Sequence, residues 1–526
     1  MPDWTYHPLR GIAAAMLGEG RSRRLALRAL AAVGSLPGGA RLIAQGLGHL
    51  HPHPSLAGTV SGVPVRARVG VVVPPSAAHA AVRAMAPLGA GLIEVAPVAP
   101  ADVPEVRRAA AGRRVPVVVR TGEPMVADAL KGHVDAVLGP DPDLVRTSSP
   151  SVDDAARVLA DPRKTVLATP AVLIEAGPGW FARVLEAATP AEAPPGLRAL
   201  GADPRRWPGW WWGVLMGAGV IVFALGAAVV TLGPILLWYD RDFLGAEPYH
   251  LHAISHRLPG FLQHDRITLA GSMAAIGVLY AGIAAGGLRR RWPWARRAYL
   301  VSGSIGFLSW FSFAGFGFLE PVHTVATAVL LPTFLLAMRR TTGRPRWRVL
   351  PEGPERLRRR ALTGQLLMVV TGFGLFAGGV VVSAVGLTEV FVPSDLEFLR
   401  ADPDAMRAAN PRLLPFIAHD RVTFGGALVA AGAAITLLGM WAWRRGEGWL
   451  WWVLAAAGAA GFLPAVVVHG AIGYVDLWHL APVFLGMVLT VTALALARPY
   501  LCARARATVS PPRSARSRSR AVPRPR

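Results

Sequence analysis

All but one of the candidate functional residues of this 526-residue chain sit in three short motifs, each present twice. Phe261-Leu262-Gln263-His264-Asp265-Arg266-Ile267-Thr268 and Phe416-Ile417-Ala418-His419-Asp420-Arg421-Val422-Thr423 share the pattern F-x-x-H-D-R-[IV]-T. A second pattern, D-x-[DE]-F-L, places Asp240 and Asp242 in one copy and Asp395 and Glu397 in the other. The third joins Gly317-Phe318-Leu319-Glu320-Pro321-Val322-His323 to Gly473-Tyr474-Val475-Asp476-Leu477-Trp478-His479. Spacing of i, i+3 in Glu320/His323 and Asp476/His479 puts a carboxylate and an imidazole on one helical face. Such pairs recur in metal sites of helix bundles, and the donor types suit zinc, iron or manganese. They equally suit an ion-paired network that closes a bundle, with Arg266 and Arg421 as its cations. Asp265 and Asp420 are also placed to cap the helices that follow them. His469 stands alone within an apolar stretch where the first copy has Phe313, and an ionisable group at such depth is costly and often functional. Its ordinary reading is a neutral histidine hydrogen-bonded to a neighbouring helix.

The motifs recur with a period of about 155 residues, in one order, which marks an internal repeat. Between them run apolar stretches long enough to cross a bilayer. Eight spans are drawn at 210–238, 268–288, 298–319, 321–338, 365–392, 422–443, 449–468 and 477–497. Arginines follow the second span (Arg289, Arg290, Arg291, Arg296, Arg297), the fourth (Arg339 to Arg360) and the sixth (Arg444, Arg445), so these loops are expected on the cytoplasmic side. Trp210, Trp211, Trp212, Trp292, Trp294, Trp449, Trp451 and Trp452 lie beside those basic ends, where headgroup-level rings are expected. Four spans per copy imply two parallel repeats, both termini in the cytoplasm, and all six motif copies on the opposite, extracytoplasmic face. The Gly-rich stretch 372–379 is expected to serve close helix packing.

Composition supports this division. With 53% hydrophobic residues the chain is not one large soluble core, and the net charge of +23 comes largely from basic loops and the tail. No nucleic-acid motif accompanies that charge, so the expected partners are the lipid bilayer and a small ligand or protein, not nucleic acid. A single cysteine, Cys502, excludes an intramolecular disulfide and a cysteine-built metal site. The first residues lack the layout of a signal peptide, so the N-terminal domain is expected in the cytoplasm of a multi-pass cell-membrane protein. The expected organisation is an N-terminal helical segment (1–50), an α/β domain (51–190), a linker (191–209), a four-helix repeat (210–338), a basic linker (339–364), a second repeat (365–498) and a basic disordered tail (499–526).

In the N-terminal part, Val69-Gly70-Val71-Val72-Val73, Leu92-Ile93-Glu94-Val95, Pro116-Val117-Val118-Val119 and Ala136-Val137-Leu138 alternate with helical stretches, which predicts parallel strands with crossover helices. The region is too short for an eight-stranded barrel of about 250 residues. Tyr6-His7-Pro8-Leu9-Arg10, Thr59 to Val65, Val69 to Pro100 and Ala171 to Trp180 together resemble a shortened quinone-type (class 2) dihydroorotate dehydrogenase. That resemblance implies an incomplete TIM-barrel-like domain. It also implies, for an active member, FMN and electron transfer to quinone. The sequence departs from the family's pattern at the flavin: Ser76-Ala77 stand for its Asp-Lys, Pro74 for a glycine and Ala96-Pro97 for its Gly-Thr. The family's orotate-binding asparagines, catalytic-serine segment and late Gly-Gly turn have no counterpart. The expectation is therefore a degenerate, non-catalytic domain with no cofactor, and FMN only under the dehydrogenase alternative. Three functions follow: a membrane binding or transport protein using the repeated His/carboxylate/Arg cluster, a quinone-linked redox enzyme, or a non-catalytic assembly or signalling protein.

Overall fold

The computed structural model describes residues 3–48, 52–196, 200–318, 320–339, 344–346 and 350–504, the side chains of 312–314 excepted. The tail beyond Arg504, residues 340–343 and 347–349 of the basic linker, and the Phe313 side chain compared with His469 lie outside the described residues.

Helices Asp3–Leu17, Glu19–Ser35 and Gly39–Gly46 come first, followed by an antiparallel hairpin of β1 (Gly58–Val60) and β2 (Val63–Val65). Six parallel strands then form one sheet: β3 (Val69–Val73), β4 (Leu92–Val95), β5 (Val117–Val119), β6 (Ala136–Val137), β7 (Leu144–Thr147) and β8 (Thr165–Ala168). Their order is β6-β5-β4-β3-β8-β7, so the first strand of the set pairs with the last. Followed round, this is chain order with one break, between β6 and β7. The four apolar runs in the sequence become β3 to β6. The other two strands are flanked by charge (Leu144-Val145-Arg146-Thr147) or short (Thr165-Val166-Leu167-Ala168), and carry little periodic signal. Valines buried on both faces, Val117 and Val119 on one and Val118 on the other, fit a parallel sheet covered by helices.

Among the described residues of the second half, six helices are long and apolar enough to cross a bilayer: Gly209–Leu232, Leu258–Arg290, Glu355–Leu387, Leu413–Trp441, Gly448–Ile472 and Leu477–Leu501. The third and fourth expected spans fall short. Pro293–Trp310 carries Arg296 and Arg297 and runs into a 3-10 turn, and Pro321–Ala337 has only 17 residues. The first expected span, drawn to 238, ends at Leu232, and a separate short helix, Trp238–Leu244, follows it. The helices containing the H-D-R motifs begin well before them, at Leu258 and Leu413. Asp265 and Asp420 thus lie inside those helices and do not cap them.

Those two helices form the centre, with 78% and 72% of their apolar windows buried against 22–28% for the other four. Glycine makes the inner crossings close. A Cβ on Gly217 would stand 2.6 Å from the Gly277 carbonyl oxygen, and one on Gly432 would stand 2.6 Å from that of Gly372. Backbones that approach this far gain packing that no larger residue permits. The helix Pro293–Trp310 packs on Leu413–Trp441, while Gly448–Ile472 packs on Leu258–Gly282. Each of these third helices therefore leaves its own half of the membrane region and leans on the central helix of the other.

The α/β domain is fastened to one end of this bundle by buried ions. Asp3, fully buried, accepts the Gly179 N–H at 2.9 Å and pairs with Arg183 at 3.2 Å and Arg358 at 3.3 Å. Arg183 also meets Glu352 at 2.6 Å, and Arg444 meets Glu186 at 2.7 Å. The basic loops therefore lie against the α/β domain. Some belt tryptophans are drawn inward with them: Trp210, Trp292 and Trp294 are buried, and Arg290 and Arg444 lie over the Trp292 ring, while Trp452 stays exposed. His264 and Arg290 lie at opposite ends of one continuous helical stretch, about 39 Å apart at roughly 1.5 Å per residue. The repeated polar residues thus sit at the far end from the α/β domain.

Candidate metal centres

The two central helices meet through crossed ion pairs. Arg266 donates from Nε to Asp420 Oδ2 at 2.9 Å, and from its terminal nitrogen to Asp240 Oδ2 at 3.1 Å and the Ile235 carbonyl at 2.7 Å. Arg421 donates to Asp265 Oδ2 at 3.3 Å, Asp395 Oδ2 at 2.7 Å and the Val390 carbonyl at 2.7 Å. Every partner in the second set lies 155 residues from its counterpart in the first, in the chain taken as a ring of two. The same offset relates Ser255 bonded to the Leu399 carbonyl and Asn410 bonded to that of Leu244. It also relates Arg257 on Phe398 and Arg412 on Phe243, and the two arginines over Phe416 and Phe261, each at 5.0 Å. Asp240 and Asp395 hold their short helices by accepting the Leu237 and Val392 N–H groups at 2.9 and 2.8 Å.

Beside these pairs lie two trios whose ligating atoms all fall within 4.8 Å of one another: His264, His469 and His479, and Glu320, His323 and His419. In each trio outer partners fix the rings. His419 Nδ1 is hydrogen-bonded to Asp420 Oδ1 at 3.0 Å, which leaves Nε2 buried, without a hydrogen-bond partner among the described residues, 3.8 Å from Glu320 Oε2. His469 Nδ1 bonds the Ala465 carbonyl at 2.6 Å, and its Nε2 is likewise buried and unpartnered among the described residues. His264 Nδ1 lies 2.9 Å from Asp265 Oδ1, and the His264 and His469 rings are 4.2 Å apart. His479 Nδ1 is 3.3 Å from the Tyr474 hydroxyl. Glu320 contacts His323 Nδ1 and accepts the Tyr239 hydroxyl at 3.2 Å. An imidazole pinned at one nitrogen by a carboxylate or carbonyl, with the other nitrogen bare, is the usual state of a metal ligand. A buried bare nitrogen with no such use carries a desolvation cost of about 1–3 kcal/mol.

The residues singled out by sequence do converge, but across the two halves. His264 meets His469 and His479, and His419 meets Glu320 and His323, because the third helices are exchanged between halves. Asp242 and Glu397 are exposed and join neither trio. Asp476 accepts the His479 N–H at 2.6 Å as a helix cap and is thereby turned from the cluster. Sequence reasoning missed Tyr239 and Tyr474, the latter donating to Asp395 at 2.8 Å, although Tyr474 lies inside a repeated motif. The Gly-rich stretch does serve packing at Gly372 and Gly379.

In the α/β domain, Glu94 on β4 is fully buried and takes Arg120 and Arg146, each at 2.8 Å. Both cations are thus committed to a protein carboxylate near the strand ends. Ser76 and Ala77 form the first turn of the helix Pro75–Leu88. At the seam with the bundle, burial and the neighbouring Arg358 hold the His7 imidazole down to about 4. Comparison with protein-family models, with curated proteins and with solved structures returned no match.

Proposed function

We propose that this chain is a multi-pass membrane protein built on two parallel repeats, whose paired polar clusters bind first-row transition-metal ions at the extracytoplasmic face. Two largely buried trios of ligating atoms, each with an outer-shell aspartate and a bare imidazole nitrogen, carry this reading. Imidazole excludes the hard cations that prefer all-oxygen shells, and three ligands leave coordination positions open for water or a passing ligand. The repeat rests on the recurring 155-residue offset, and the orientation rests on the arginines that gather beside the α/β domain. The test is equilibrium dialysis of chelator-stripped, full-length protein against Zn(II), with metal per polypeptide measured by mass spectrometry. Stoichiometric uptake that falls in His323→Ala and His419→Ala is expected. Absence of uptake by the wild type would sink the proposal.

The α/β domain is read as a shortened, non-catalytic dihydroorotate-dehydrogenase-like barrel that serves as a cytoplasmic platform. Supporting this are the cyclic strand order with one open seam and the absence of a lysine at Ala77, where the resemblance would place the flavin's cation. A flavin absorbance spectrum in purified protein would revive the quinone-linked alternative.

A further inference from the structure

The two trios occupy equivalent places yet differ in one ligand, and that difference has an electrostatic consequence. In one, Glu320 stands at the N-terminus of Pro321–Ala337, makes no cap bond, and turns its carboxylate onto His323 and toward His419. In the other, Asp476 holds the matching position but is spent capping its helix at His479, and His469, on the exchanged third helix, supplies the ligand instead. The outer shells are alike: each trio has one aspartate against a histidine, and each aspartate is balanced by an arginine. The inner shells therefore differ by one full negative charge.

Resting on the metal-binding reading above, we infer that Glu320/His323/His419 holds a divalent ion and His264/His469/His479 holds monovalent copper. The cost of burying net charge rises with its square. A divalent ion with Glu320, and Cu(I) with three neutral imidazoles, each leave a net single positive charge; a divalent ion in the all-histidine trio would leave two. Two histidines and one carboxylate also match the donor set that takes divalent iron or zinc. Imidazole-only coordination takes copper as it takes zinc, and the charge balance is what selects the monovalent ion. The His469 ring, pinned through Nδ1 to Ala465, presents one neutral donor for that purpose.

The experiment is anaerobic loading of full-length protein in detergent with Cu(I) and Zn(II) together, each buffered by a competing chromophoric chelator. Wild type is expected to hold one ion of each kind. His469→Phe, at a residue whose Nδ1 is hydrogen-bonded to the Ala465 carbonyl and not to the crossed pairs, is expected to lower Cu(I) affinity by more than about 100-fold, beyond the loss from an outer-shell change. Zn(II) affinity in that variant should stay within about twofold, as for independent sites. Glu320→Gln should do the reverse. Far-ultraviolet circular dichroism confirms that each variant is folded, and the wild-type competition stands whether or not a variant folds. If both metals fill both trios of the wild type without discrimination, the assignment is overturned while metal binding stands. If neither metal binds, the underlying reading fails and takes this one with it.

Discussion

Arg421→Met tests whether the crossed ion pairs form a buried structural lock. The substitution keeps an apolar stem over Phe261 and removes the charge. Arg421 is 7% exposed, and its partners Asp265 and Asp395 are 3% and 0% exposed, so the carboxylates it leaves behind cannot be rehydrated in place. Removing one partner of a buried pair costs about 3–5 kcal/mol, and the Val390 carbonyl loses its donor as well. We expect a loss within that range in reversible detergent-denaturant unfolding followed by tryptophan fluorescence, with chelator present so that metal plays no part. Adding Asp395→Asn should restore part of the loss, because one of the two carboxylates left without Arg421 is then neutral. Arg266→Met, in the matching environment, should behave alike. A loss below about 1 kcal/mol, the range of exposed pairs, would refute the reasoning.

Three further outcomes are expected. Asp265→Asn should leave the bundle folded but weaken metal affinity of the His264 trio by roughly 10–100-fold in competition with a chelator, since it unfixes a ligand ring. Gly432→Leu should separate the helices that touch at Gly372 and lower the unfolding midpoint, whereas the same change at Gly374, where a Cβ meets nothing within 4 Å, should not. Docking of the α/β domain should weaken in acid: His7 is held at about 4 in the docked state against 6.5 when free, so the released state takes up the proton first. The seam is then at full strength above about pH 6.5 and loses stability as pH falls toward about 4, which limited proteolysis of the linker across that range would detect.

Periodicity and repetition made much of the architecture legible. Four strands of valine-rich sequence, the long apolar helices and the repeated motifs could be read because burial on one side or on all sides leaves a compositional trace. What could not be read were relations between distant segments. Nothing local in Arg266 says that its carboxylate partner is Asp420 of the other half as well as Asp240 nearby. Exchange of the third helices follows packing at small residues along the central helices, so His264 meets His469 and His479 of the other half and not His323 of its own. Asp265 and Asp420 misled for a related reason: the helix starts seven residues earlier, at Leu258 and Leu413, where no Ser, Thr, Asp or Asn caps it. β7 was hidden by Arg146, which a strand in an open seam can carry because its side chain finds Glu94.

The claim that the two trios are metal centres is tested most directly by X-ray absorption at the metal edge on full-length protein purified without chelator. The account predicts a first shell of three protein donors near 2.0–2.1 Å with imidazole outer-shell scattering, lost in the paired variant His264→Ala/His419→Ala. Metal-free protein that also fails to take up Zn(II) or Cu(I), or bound metal whose shell is unchanged in that variant, would contradict it.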